Sequence, residues 1–205
     1  MMQTQPSALH GAHVHLLPMS IEHAGGLLPH ALDPEIWHFM PYGNVDSLDR
    51  LRATMHDLLE RQAKGTDQCY TVWHVATDQP IGLTRYIAID RVNYSVEIGG
   101  TWYGAAFRRT AVNTECKLLL LGHAFVAMGC QRVQIQTDVR NERSQRAIER
   151  IGAAREGIIR KNKRMPDGYE RSSIMYSIIN DEWPAVQNKL TGLLASAPQH
   201  ADGAR

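Results

Sequence analysis

The chain has 205 residues, 43% of them hydrophobic and 21% charged, with a net charge of +1. Such a composition is ordinary for a globular protein with one sizeable core, gives no global push toward nucleic acid or membrane, and contains no apolar run near the roughly 20 residues that span a bilayer. The scattered cysteines Cys69, Cys116 and Cys130 argue against a disulfide framework, and no secretory signal is visible, so a reducing cytoplasm is expected.

Ala12 to Leu17 reads as a short strand ended by Pro18, and Ser20 can cap a short helix over Ile21 to Ala31. His10, His13 and His15 cluster here, and His13 and His15 share a face if the segment is a strand. No cysteine or carboxylate lies close in sequence to complete a site, so no metal is expected. The aromatic, proline-broken stretch DPEIWHFMPYGN, Asp33 to Asn44, reads as an irregular loop. Asp46 is expected to cap a helix carrying Leu48, Leu51, Met55, Leu58 and Leu59 at helical spacing and ending near Gly65.

Three strands follow, Cys69 to Ala76, Ile81 to Asp90 and Tyr94 to Tyr103, and predict an antiparallel meander. Thr114 to Met128 predicts a leucine-rich helix stopped by Gly129. Arg132 to Asp138 alternates as a strand, and Asn141 to Ile151 is a helix ended by Gly152. EGIIRKNKR and YERSSIMYSII flank the turn MPDG as a hairpin, and a last helix starts near Asp181. The expected organisation is α+β, one domain over residues 1–195 with a disordered tail at 196–205.

Three stretches carry candidate chemistry. In GGTWYGAAFRRTAVNTECKLLLLGHAF a strand runs through a basic turn into a helix, an arrangement whose backbone N–H groups can hold a phosphate, although no glycine lies between Gly104 and Gly122. In DVRNERSQRAIERIGA, Asn141 and Ser144 share a helix face with Ile148, and Asn141 can serve both as cap and as ligand contact. In VEIGGTW, plain alternation puts Glu97, Gly99 and Thr101 on one face and Val96, Ile98 and Trp102 on the other. A carboxylate in mid-strand needs a task or a partner, and Arg85 is the partner considered.

The element order and these motifs together resemble the GNAT superfamily of N-acetyltransferases, in its RimJ/RimL-like branch, which acetylates α-amino groups of ribosomal proteins. The resemblance covers about Ala12 to Leu190. It implies a mixed, mostly antiparallel sheet of about seven strands flanked by helices, with a V-shaped split between the fourth and fifth. It implies acetyl-CoA as acetyl donor, no metal, and a primary amine as acceptor, on a protein N-terminus or a small molecule. The turn Arg108, Arg109, Thr110, Ala111, Val112, Asn113 and Thr114 would hold the pyrophosphate. The backbone of Thr101, Trp102 and Tyr103 would pair with the pantetheine arm, and Asn141 and Ser144 would line it. Ala111 and Asn113 stand where the family has glycine or a small residue; the donors are backbone groups, and asparagine tolerates left-handed geometry, so the cradle is expected to survive.

Glu97 is the candidate base for the attacking amine, and a structural ion pair is its alternative role. Ile148 replaces a tyrosine that in many members protonates the departing thiolate; Ser144 is the substitute named for that acid, and a solvent proton is its competitor. Trp37, Phe39 and Tyr42 are expected to wall the acceptor side. Two rival functions stay open. One is a CoA-binding protein without catalysis, suggested by the missing tyrosine and the altered turn. The other is an RNA-binding module built on the basic segment from Arg140 to Arg164; interspersed Glu142, Glu149, Glu156 and Glu170 and the absence of a stacking pattern count against it. Neither nucleic acid nor membrane is an expected partner, and a homodimer is left open.

Overall fold

The structure, a computed structural model, describes residues 5–196. Eight strands form one sheet: β1 (Leu9–His10), β2 (Val14–Pro18), β3 (Gln68–His74), β4 (Gln79–Asp90), β5 (Ser95–Tyr103), β6 (Arg132–Asp138), β7 (Ala154–Arg164) and β8 (Glu170–Ile179). Their order is β1-β2-β3-β4-β5-β6-β8-β7, and every neighbouring pair is antiparallel except β5 with β6. The helices are α1 (Ala24–Ala31), α2 (Leu48–Ala63), α3 (Ala111–Gly122), α4 (Glu142–Arg150) and α5 (Trp183–Ala195). The α+β class is as expected. The strand beyond the expected seven is β1, whose two residues pair with β2 and bring the His10 and His15 rings to 4.6 Å. No cluster of three or more metal-ligating side chains occurs among the described residues.

β5 and β6 pair only through Ser95–Arg132, Val96–Val133 and Glu97–Gln134, and then diverge. Beyond that point β5 pairs with β4 alone and β6 with β8 alone. This is the V-shaped split. Each sheet face carries its own core. Tyr86, Val96, Ile98 and Val133 pack with Leu120 of α3 and Leu190 of α5. Leu83 and Trp102 pack on the other side with Leu27 of α1 and Leu51 and Met55 of α2.

A bulge corrects the alternation expected for β5. Arg85 opposes Gly99 but Leu83 opposes Trp102, so β5 carries an extra residue there, and Gly100 takes φ +58°. The bulge turns Trp102 to the face of Glu97 and sends Thr101 to the other, where its hydroxyl lies 2.8 Å from that of Thr84. A side chain at Gly100 would be strained, and its Cβ would press on Arg85 Nε at 3.2 Å.

Caps set the helix bounds and correct two of them. Ser47, not Asp46, caps α2, its hydroxyl accepting the Arg50 N–H at 3.3 Å. α3 begins at Ala111 rather than Thr114, because the Thr110 hydroxyl accepts the Val112 N–H at 3.3 Å and donates to the Phe107 carbonyl at 2.8 Å. It also ends at Gly122, where the winding loosens into a π turn over His123–Ala127; Gly129 at φ +68° completes the exit. Asn141 caps α4 as expected, accepting the Ser144 N–H at 3.0 Å.

The β7–β8 hairpin closes through Met165 and Tyr169 with Gly168 at φ +86°. The N-terminal strand is tied down by Glu115 of α3, 5% exposed, which accepts the backbone N–H groups of Ala12, His13 and Val14 at 2.9, 2.6 and 2.7 Å. Ser196 ends α5, and residues 197–205 of the expected tail lie outside the described residues. Among the described residues no helix is long and apolar enough to cross a membrane.

Candidate active site

The split opens into a cavity of about 930 Å³ walled by both of its arms, the start of α3, the start of α4, the β7–β8 hairpin and the loop of residues 35–42. Most of the expected residues meet here. Glu97, Thr101, Trp102 and Tyr103 line it from β5, and Arg108, Arg109, Thr110 and Asn113 from the turn and α3. Asn141 and Ser144 face it from α4, and Phe39 and Tyr42 from the loop.

Four expected residues lie off the wall. Trp37 is 5% exposed, donates its ring N–H to the Ala31 carbonyl at 2.7 Å and packs on Trp102 with centroids 5.6 Å apart. The 3-10 turn Pro34–Phe39 points Trp37 into the α1/α2 core, and Ile36, Phe39 and Met40 take the wall instead. Val112 sits in the α3/α5 core, and Thr114, 3% exposed, receives Arg150 Nη2 on its hydroxyl at 2.8 Å. Ala111 holds the first helical position without reaching the cavity.

The turn takes its shape from Arg109 and Thr110. Arg109, at φ +62°, is the left-handed residue, while Asn113 is helical, so the tolerance expected of asparagine is exercised one turn earlier and by another residue. Arg108 is a fastener: Nη2 donates to Asp33 at 2.6 Å, Nη1 reaches Glu35 at 3.5 Å and Nε donates to the Tyr103 carbonyl at 3.2 Å. It thereby joins the loop of residues 33–44 to the end of β5. The N-terminus of α3, with its partial positive charge, then stands at a cavity mouth that also carries Arg109, Arg143, Arg146 and Arg150.

At the root of the split Glu97 is 5% exposed and accepts the Gln136 Nε2–H at 2.6 Å. Gln136 in turn receives Asn162 Nδ2 at 3.2 Å. Arg85 forms no ion pair with Glu97; it lies 3.3 Å from Asp67 and donates to the Tyr42 hydroxyl. Lys117, 6% exposed, donates to Thr101 Oγ1 at 3.3 Å, and burial lowers its ammonium to a pKa of about 8. Burial pushes the Cys116 and Cys69 thiols up to about 12 and Cys130 to about 11, so none supplies a thiolate near neutrality.

Lys117, Arg171 and Gln136 also line the cavity and were not singled out by sequence reasoning. Lys117 lies on the buried stripe of a leucine-rich helix, and a charge there is the signal that was available. Arg171 lies beside Glu170, Ser172 and Ser173 at the polar start of β8, where the sequence gives no such signal.

An acetyltransferase (GNAT) domain matches residues 13–154, and the chain belongs to that family. An acetyltransferase crystal structure from T. thermophilus is 36% identical, with a TM-score of 0.84 over 92% of this chain and 97% of that one. YdaF of Bacillus subtilis (strain 168), whose name assigns it to ribosomal N-acetyltransferases, is 33% identical over 102 residues, 50% of this chain and 55% of YdaF. The match thus spans about half the length of that relative. Mycobacterium smegmatis RimJ, solved with CoA-disulfide, shares the fold at 16% identity, with a TM-score of 0.80 over 94% of this chain and 96% of RimJ. The RimJ/RimL-like branch suggested by the motifs is consistent with these neighbours.

Proposed function

We propose that the protein is an acetyl-CoA-dependent N-acetyltransferase that passes an acetyl group directly to a primary amine, on a protein N-terminus or a small molecule. The observation that carries this reading is the split itself, with the buried carboxylate of Glu97 at its root and a helix N-terminus at its mouth. The residues present fit a CoA thioester. The edge of β5 beyond Ile98 lacks a β6 partner and offers backbone groups to a pantetheine arm, in the manner of an added strand. The α3 N-terminus with Arg109, Arg143, Arg146 and Arg150 suits phosphates.

Acetyl-CoA supplies the activated acetyl group, and the chain's own work is orientation and proton transfer. Backbone N–H groups of Thr101 to Tyr103 would hold the thioester carbonyl oxygen. Glu97, oriented by Gln136, would take the proton of an ammonium whose ordinary pKa is about 8 for an α-amino group and about 10 for an alkylamine. Ser144, held at the start of α4, would return a proton to the thiolate, since Ile148, 5% exposed on the same wall, has none to give. A cytoplasmic location goes with this reading. The second reading, an acyl-CoA-binding protein without turnover, is favoured by Ile148 alone.

Acetyl-CoA at millimolar concentration should raise Tm, because it binds only the folded chain. Glu97→Gln should lower kcat by roughly 10²- to 10⁴-fold with acetyl-CoA affinity kept, and the defect should shrink at high pH, where the amine is already neutral. Binding without thiol release across amine classes would favour the second reading; no Tm shift would remove both.

A further inference from the structure

The acceptor end of the cavity holds more positive charge than a plain amine calls for. Arg85 of β4, Lys163 of β7 and Arg171 of β8 all line it, together with Glu97. Arg85 is 6% exposed and Arg171 5%. The carboxylates that answer them are Glu97 itself, Asp67 at 3.3 Å from Arg85 Nε, and the fully buried Asp138, which Arg140 already holds at 3.2 Å. Arg140 also draws on Asp167, so the three cations of the cavity share Glu97, Asp67 and part of Asp138, and a positive charge is exposed whenever Glu97 takes up a proton.

The donors are unequally served. Arg171 Nε donates to Ser173 Oγ at 3.0 Å and Nη1 to the Phe39 carbonyl at 3.1 Å. Arg85 Nη2 has only the neutral Tyr42 hydroxyl, on the acceptor loop. Asp67 is close to Arg85 Nε but not aligned with it, and both Nε and Nη1 of this buried guanidinium lack a hydrogen-bond acceptor. A buried charged donor without an acceptor is costly, and a ligand oxygen carrying charge satisfies it better than a phenol. Lys163 stands in the same field: burial lowers its pKa, Glu97 opposes that, and Arg171 and Arg85 add to it. A polyamine or any acceptor with a second ammonium would meet these three cations head-on.

Building on the acetyltransferase reading, we propose that the acceptor is an amine bearing its own anionic group, a carboxylate or a phosphate, seated on Arg85, Lys163 and Arg171 while its nitrogen faces Glu97. A free amino acid, a phosphorylated amine and an N-terminal peptide with an acidic neighbour share this chemistry.

Matched pairs test it at saturating acetyl-CoA and constant ionic strength: phosphoethanolamine against ethanolamine, phenylalanine against phenethylamine, and a dipeptide amide with aspartate against alanine at its second position. In at least one pair the anionic member should show a kcat/KM higher by roughly tenfold to a hundredfold, the worth of a charge-assisted contact, and the pair that responds identifies the source of the anion. Lys163→Met should shrink that ratio. Arg85→Met should do so too, but it strands Asp67 and can unfold the chain, so the half-buried Lys163 is the deciding position. Equal or better turnover of every neutral member, or a ratio untouched by Lys163→Met, overturns the proposal. If no amine is acetylated, the acetyltransferase reading falls, and the anion seat is judged by binding alone. With CoA bound, phosphoethanolamine should raise Tm where ethanolamine does not; identical behaviour of the two overturns it.

Discussion

Replacing Glu115 should loosen the N-terminal edge of the sheet without touching the cavity. Its Oε2 accepts two backbone N–H groups, of His13 and Val14, and its Oε1 accepts a third, of Ala12. Removing an acceptor from a buried donor costs about 1–3 kcal/mol, more when the acceptor is charged. In Glu115→Gln the amide oxygen can keep the pair at Oε2, but its NH2 then confronts the Ala12 N–H, and the two retained bonds lose their charge. The cost should be about 2–3 kcal/mol, and for Glu115→Ala, which frees all three donors, about 4 kcal/mol. At roughly 2–4 °C per kcal/mol for a chain of this size, Glu115→Gln lowers Tm by about 5–10 °C. Thermal denaturation reads the total, and amide hydrogen exchange at Ala12, His13 and Val14 localises it. A Tm within about 2 °C of the parent, with those amides still protected, would refute the reasoning. Gly11 belongs to the same device, because a Cβ there would lie 2.5 Å from Glu115 Cδ.

Lys117→Met removes a buried ammonium. The folded pKa is lowered from 10.5 to about 8, so the folded state is penalised by up to about 3 kcal/mol below pH 8, and the penalty lifts as pH rises from 8 to 10.5. The variant should therefore be the more stable at pH 7, less the Thr101 hydrogen bond, with the gap closing toward pH 10.5; parallel urea-stability curves across that range would sink this account. Asn141→Ala should lower both stability, by about 0.5–2 kcal/mol, and acetyl-CoA affinity, whereas Ser144→Ala should lower turnover more than affinity. Normal turnover of Ser144→Ala in calorimetric and kinetic assays would leave the thiolate with another proton source.

The sequence displays the fold wherever period and punctuation agree. The strand–helix alternation after Gly65 needed only period-two and helical patterns broken by Gly129, Gly152 and MPDG. Helix starts were less legible, because Asp46 and Ser47 are adjacent and both competent caps, and only the structure shows that Ser47 takes the Arg50 N–H. The β5 bulge was invisible for a different reason: Gly-Gly at 99–100 permits a bulge but does not require one, and simple alternation through it places Thr101 and Trp102 on the wrong faces. Trp37 was misplaced by a similar gap, since a 3-10 turn in a proline-broken loop has no sequence period to read. At the site, most residues of the local motifs line the cavity, though Ala111, Val112 and Thr114 do not, while Arg85, Lys163 and Arg171 come from three strands and converge only through the sheet order.

The turn before α3 is built without glycine. A left-handed residue with a side chain costs about 1–2 kcal/mol, and here Arg109 bears it. Two neighbours offset that cost. Thr110 caps the helix, worth about 1 kcal/mol, and its hydroxyl also ties back to Phe107. Arg108 clamps the turn between Tyr103 and the acids Asp33 and Glu35. Because that clamp reaches Asp33 and Glu35, the residues that shape the turn also anchor the loop that lines the cavity. The Arg109 side chain is exposed and lines the cavity. The turn thus rests on a strained arginine whose charge faces the mouth and whose strain is held by its two neighbours.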